Sequence, residues 1–252
     1  MTPAQKARLD IREKRHTGTT RGLAHGYVQC NLAAVPQALA FDFLLYCQRN
    51  ARACPVLEVC DPGGWEPKQL APGADLRTDL PRFCVFQKGN RSEVDDARPH
   101  WRQDLVAFLI GSGITFDGAL ERAGVPTDKH RWVLNSKIPT VPAGPFHGDM
   151  VVTMRWLTPQ QAIIATQVSS RFPHNHGAPI HIGDPAAIGA DLERPLYGGK
   201  VDAIPAGMVA VFWACGVTPQ EAALRANIEL MITHAPAHGF VTDLEADRSC
   251  LP

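Results

Sequence analysis

Residues 174–185, HNHGAPIHIGDP, place three histidines and an aspartate within twelve positions. Imidazoles change charge near neutral pH, so His176 and His181 can pass protons while Asp184 orients a ring or shares its charge. The same side chains could hold a metal, with His174 and His176 on one face of an extended segment. Their spacing matches neither His-Glu-x-x-His nor a Cys/His structural site, which favours proton transfer over metal binding. Gly177, Pro179, Gly183 and Pro185 punctuate the stretch as turns, and any one of these histidines read alone is a polar loop residue.

Other chemistry-bearing residues fall near the ends of expected elements. Arg155 and Arg171 can each grip a carboxylate in a two-pronged fork, and together they suit a dicarboxylate. Cys215 precedes a helix start whose backbone, from Gly216 to Gln220, can face an anion. His234 closes an apolar run and is a weaker candidate. These residues point to acid–base chemistry on a small anionic molecule, with no cofactor and no metal required. A metal-dependent lyase or hydrolase using His176, His181 and Asp184 stays open, as does a non-catalytic amino-acid-binding protein.

The elements that must position them read as follows. YVQCNLAAV (27–35), PVLEVC and RFCVFQ are apolar strands, and residues 61–81 are irregular. PQALAFDFLLYCQRN (36–50) reads as a helix with Ala38, Phe41, Leu44 and Leu45 on one face, and WRQDLVAFLIG (101–111) as an amphipathic helix. Residues 17–26, TGTTRGLAHG, read as a linker or a substrate-facing loop. MVVTMRWLTPQQA and MVAVFWACGVTPQEA share a strand–turn–helix plan, with Thr158 and Thr218 as N-caps and Gln161 and Glu221 completing capping boxes. They fit an internal repeat and two convergent junctions equally well. Strands alternating with helices imply an α/β fold, a mixed sheet with covering helices and a smaller α+β subdomain. One catalytic unit over residues 1–252 is expected, divisible into two packed subdomains without a visible boundary.

Lys plus Arg and Asp plus Glu both total 25, so the formal charge is zero, which gives no reason to expect a nucleic acid or an anionic membrane as partner. No apolar run approaches the roughly 18 residues of a membrane span. MTPAQKARLDIREKRH has no apolar secretory core and reads as a solvated helix. Seven cysteines without a C-x-x-C pair fit reduced thiols in the cytoplasm. No G-x-G-x-x-G or phosphate-binding loop supports a nucleotide. Homo-oligomerisation stays open.

As a set, GYVQCNL, FLLYCQRN, CPVLEV, GADLRTDLPRF, DLVAFLIG, VVTMR, HGAPIHIGDP, VFWACGVTPQ and HAP…TD occur in an order that resembles the bacterial hydro-lyase family that includes D-glutamate cyclase. The resemblance runs from about Gly22 to Asp243. It implies loss of water from D-glutamate to give 5-oxo-D-proline. It also implies that Asp75, Arg77, Thr78 and Asp79 line the site, although a self-satisfied turn accounts for them equally well, that Tyr27, Gln29 and Asn31 contact substrate, and that Arg155, Arg171, Cys215, Gln220 and His234 surround it. Where the family commonly carries Gly-Cys-Ser-Phe-Ser-Phe-Glu, this chain has GSGITFD (111–117), so Ser112 and Asp117 depart from the pattern, and HAPAHGF departs from His-Ala-Pro-Gly-His-Met.

Overall fold

The structure is a computed structural model describing residues 1–127 and 131–251. Helix α1 (Pro3–Arg12) precedes β1 (Tyr27–Pro36) and α2 (Gln37–Arg49). Strands β2 (Val56–Val59), β3 (Phe83–Gln87), β4 (Asn90–Val94) and β5 (Leu105–Gly111) follow, then α3 (Asp117–Arg122). The second half comprises β6 (Arg131–Pro139), β7 (Asp149–Leu157), α4 (Pro159–Ser170), β8 (His181–Ile182) and β9 (Val209–Ala214). It ends with α5 (Thr218–Ala226), β10 (Leu230–His234), β11 (Phe240–Glu245) and α6 (Ala246–Ser249).

The α/β class with covering helices holds, and the strands divide between two sheets. The larger has the order β2-β5-β1-β10-β3-β4, with β11 beside β1, and the smaller runs β6-β7-β9-β8. Every ladder among the described residues is antiparallel. The continuous apolar runs arise because the central strands are covered on both faces. Val28, Cys30, Leu32 and Ala34 of β1 enter one core cluster with Leu105, Ala107 and Leu109 of β5. The alternate residues Ala33, Val35, Phe108 and Ile110 enter a second cluster with Phe43 and Phe146.

That double burial corrects two expectations. LVAFLIG is strand β5, paired with β1 from Cys30↔Gly111 to Pro36↔Leu105, and not a helix. A six-residue apolar run fits either element, and here two buried faces decide it. Helix α2 buries Phe43, Tyr46 and Cys47 and leaves Phe41 74% exposed, because Phe43 wedges edge-on against Phe108 and Phe146. Helix α1 is capped by a Thr2/Gln5 box, but it is not fully solvated. It buries Ala4, Ala7, Arg8 and Ile11, and Arg8 makes two hydrogen bonds to Asp243, at 2.9 and 3.0 Å.

The two similar segments pair with each other, Val152 opposite Ala214. The Thr158/Gln161 capping box forms. The second does not: Val217 occupies the N-cap. Thr218 Oγ1 instead donates to the Cys215 carbonyl at 2.7 Å and accepts from the Val151 amide at 3.1 Å, locking the end of β9 to β7. Gly111 ends β5 where the backbone of the 173–176 turn crosses it, and an added Cβ would land on the His174 carbonyl oxygen. Gly111→Ala is therefore expected to lower stability by about 2–3 kcal/mol through forced displacement of that turn. Urea denaturation checks this, and an unchanged midpoint would refute the close crossing.

Candidate active site

A cavity of about 280 Å³ lies where the ends of β1, β5 and β10 meet the inner face of β6, β7 and β9. This is the lower end of the size range for small-molecule sites. Asn31, Ser112, His176, His234, Cys215 and three arginines are among the residues lining it.

The arginines dominate its electrostatics. Arg155 points inward from β7, 2% exposed, with its guanidinium 5.4 Å from the Trp213 ring centroid. Its Nη2 donates to Asp117 Oδ1 at 2.5 Å, and Arg131 Nη1 donates to Asp117 Oδ2 at 2.6 Å. Burial works to raise the Asp117 carboxyl, but the two guanidiniums overcome it and hold it below the ordinary carboxylate range. Arg155 Nε and Nη1 are buried without a hydrogen-bond partner. Arg21 reaches the same cavity from the 17–26 loop. Burial and then the Arg131 charge pull it down to about 10, Asp117 opposing and Arg155 adding to the fall. Three guanidiniums face one carboxylate, so the cavity is net positive, with Arg155 at its buried end and Arg21 at its exposed edge.

Two imidazoles complete the lining. His176 follows the short 3-10 turn Pro173–Asn175 in a left-handed conformation, φ 75°, which is uncommon outside glycine. The surroundings impose it. Asn175 Nδ2 donates to Ser112 O at 3.2 Å and Thr115 Oγ1 at 3.0 Å, and the His174 carbonyl packs over Gly111. His176 Nδ1 bonds the Arg52 carbonyl at 3.1 Å, and His234 Nδ1 the Leu32 carbonyl at 3.4 Å. Carbonyls only accept, so each Nδ1 carries the proton and each Nε2 keeps its lone pair. Burial pulls both rings down to about 4, with the carbonyls opposing. In His176 the Arg52 and Arg131 charges add to the fall, and in His234 the neighbouring His238 does. Both are neutral at pH 7.

The other expected site residues lie elsewhere or act through the backbone. His181 Nε2 bonds the Asp184 carbonyl at 2.8 Å and the ring rests against Phe212, while the Asp184 carboxylate caps the turn Pro185–Ile188. Neither lines the cavity. Among the described residues no three His, Cys, Asp or Glu side chains converge as a ligand set, so His176, His181 and Asp184 do not form one. Arg171 donates to the Leu251 carbonyl at 3.0 Å and anchors the C-terminal segment. GADLRTDLP is a self-satisfied turn: buried Asp79 pairs with Arg12 and accepts from Asp75 N and Thr78 Oγ1, and Arg77 pairs with Asp75. Tyr27 and Gln29 line a separate cavity, and Gln220 Nε2 donates to the His234 carbonyl at 3.3 Å. Asn31 and Cys215 do line the main cavity; burial pushes the Cys215 thiol up, so it stays protonated at neutral pH. An added Cβ at Gly216 would collide with the Asn31 amide, so glycine there keeps Asn31 in place.

Sequence reasoning passed over Arg21 and Arg131 and left Asp117 only as a departure from the family pattern. Arg21 sits within the loop read as substrate-facing, and an arginine opening an apolar strand was the available signal for Arg131.

The model of the D-glutamate cyclase family matches residues 106–243. A protein named "Putative hydro-lyase" from Thermoanaerobacter pseudethanolicus is 51% identical over 247 residues, covering 95% of this chain and 93% of that one. Similarly named proteins from Stutzerimonas stutzeri and Geobacillus kaustophilus are 49% and 47% identical, covering 94% and 97% of this chain and 92% and 95% of theirs. With a family match over more than half the chain and relatives near half identical along almost all of it, this protein belongs to the D-glutamate cyclase family of hydro-lyases.

Proposed function

We propose that the chain converts D-glutamate to 5-oxo-D-proline with loss of water. The observation that carries this reading is Arg155, buried in a net positive cavity with its Nε and Nη1 unpartnered. A dicarboxylate supplies two negative charges and acceptors for those donors.

The reaction itself is balanced in protons. The α-ammonium gives up two protons, its nitrogen bonds the γ-carbon, and one γ-carboxylate oxygen leaves with both protons as water. Three obstacles stand in the way: the protonated nitrogen, the poor leaving oxygen and the charge on the tetrahedral intermediate. Burial in the cavity addresses the first, because removal from water favours the neutral amine over the ammonium. The Nε2 lone pairs of His176 and His234 take its two protons, and the resulting imidazoliums return both to the departing oxygen, which leaves as water. Arg155, held by Asp117 before substrate arrives, supplies fixed donors for the oxyanion. No described helix is long and apolar enough to cross a membrane.

Proton NMR of purified protein with D-glutamate is expected to show 5-oxoproline, with L-glutamate unconverted; no product from folded protein would overturn the reading. Arg155→Lys keeps the charge but loses the planar fork, and kcat is expected to fall about 10²-fold while the urea midpoint holds. A kcat within threefold of wild type would remove Arg155 from the chemistry.

Neutral burial of the histidines also has a stability signature. Below pH 6.5 the unfolded chain binds protons that folded His176 and His234 refuse until about pH 4. Their contribution is present above pH 6.5 and is lost as pH falls through that window, by about 2 kcal/mol per pH unit between pH 6 and 5. Urea titrations at pH 7, 6 and 5 measure it, and a flat profile would show that the rings are protonated in the folded state.

A further inference from the structure

The three arginines are not equivalent. Arg131 and Arg155 are tied to the two oxygens of Asp117. Arg21 makes no hydrogen bond or ion pair among the described residues, although it lines the cavity from its exposed edge and feels the charges of Arg131, Asp117 and Arg155. Its backbone, by contrast, is braced on both sides. Thr20 N and Oγ1 donate to the Ala237 carbonyl at 2.8 and 3.2 Å. Gln29 Nε2 donates to the carbonyls of Thr20 at 2.9 Å and Leu23 at 3.2 Å. The turn then passes through Gly22 at φ 74°, where an L side chain would be strained. A firmly placed loop thus presents a cation with no protein partner, at the partition between the main cavity and a second one of about 320 Å³.

Resting on the cyclase reading, we propose that Arg21 binds the substrate's non-reacting α-carboxylate and sets the requirement for a second carboxylate. The pair on Asp117 is left to hold the γ-carboxyl under attack. The division follows from what each task needs. Oxyanion stabilisation requires donors fixed before the reaction, which Asp117 provides. The α-carboxylate keeps its charge throughout, so its ligand binds ground and transition states alike and need not be tied to another protein group.

The two roles separate kinetically. Replacing a ligand of uniform binding raises KM and spares kcat, whereas loss of an oxyanion donor lowers kcat. Arg21→Gln and Arg21→Lys are compared with wild type for D-glutamate turnover and, by calorimetry, for binding of glutarate and butyrate. R21Q is expected to raise KM about 10–100-fold with kcat within about threefold. Glutarate affinity falls by the same factor, affinity for the monocarboxylate butyrate is unchanged, and R21K recovers part of the loss. A fall in kcat at constant KM, or equal weakening of glutarate and butyrate, would overturn the assignment. Wild-type protein that binds glutarate through Arg21 yet forms no 5-oxoproline supports it while refuting the D-glutamate reading.

Discussion

The site depends on the Asp117 carboxylate shared between Arg131 and Arg155. Two guanidiniums cannot be held side by side in a water-poor cavity without an anion, and two anions would leave nothing to attract a carboxylate substrate. One carboxylate is the intermediate solution. It pins both cations, keeps Arg155 pointed into the cavity against Trp213, and leaves part of the positive charge unspent. Asp117 opens α3, and its side chain reaches both partners.

The rest of the fold sets the distances that this arrangement needs. Asp117 opens α3, which follows β5 of one sheet, and Arg131 and Arg155 come from opposed positions on β6 and β7 in the other. The ion pair therefore spans the junction of the two sheets. Its position rests on the backbone crossing at Gly111, on the Asn175 amide that ties the 173–176 turn to Ser112 and Thr115, and on the Thr218 hydroxyl that locks β9 to β7. The strained backbone at His176 is a product of the same crossing, and it directs that imidazole into the cavity with its Nδ1 already occupied.

Much of this was legible in the chain. Local chemistry marked a first helix, the helix start at Thr158, the strands at 27–36 and 83–87, and the turn-rich character of 174–185. What failed depended on contacts between distant segments. LVAFLIG has no period that separates helix from strand, and only its two buried faces do so. Phe41 and Phe43 are equally apolar, and the position of Phe108 decides which one is buried. In HNHGAPIHIGDP, His176 is turned inward by a crossing strand, whereas His181 and Asp184 satisfy each other's loop. The sequence offered Arg155 as a carboxylate ligand, and the carboxylate it meets in the structure is that of Asp117. Asp117, Arg131 and Arg21 come together only through contacts between distant segments that no local pattern encodes.

Where a dicarboxylate sits decides the role of each arginine. A crystal structure of the protein with glutarate bound tests that directly. One carboxylate is expected on Arg155 Nε and Nη1, the other on Arg21, with the Asp117 bridge intact. Glutarate seated outside this cavity, or bound with Arg155 Nε and Nη1 still unpartnered, would contradict it.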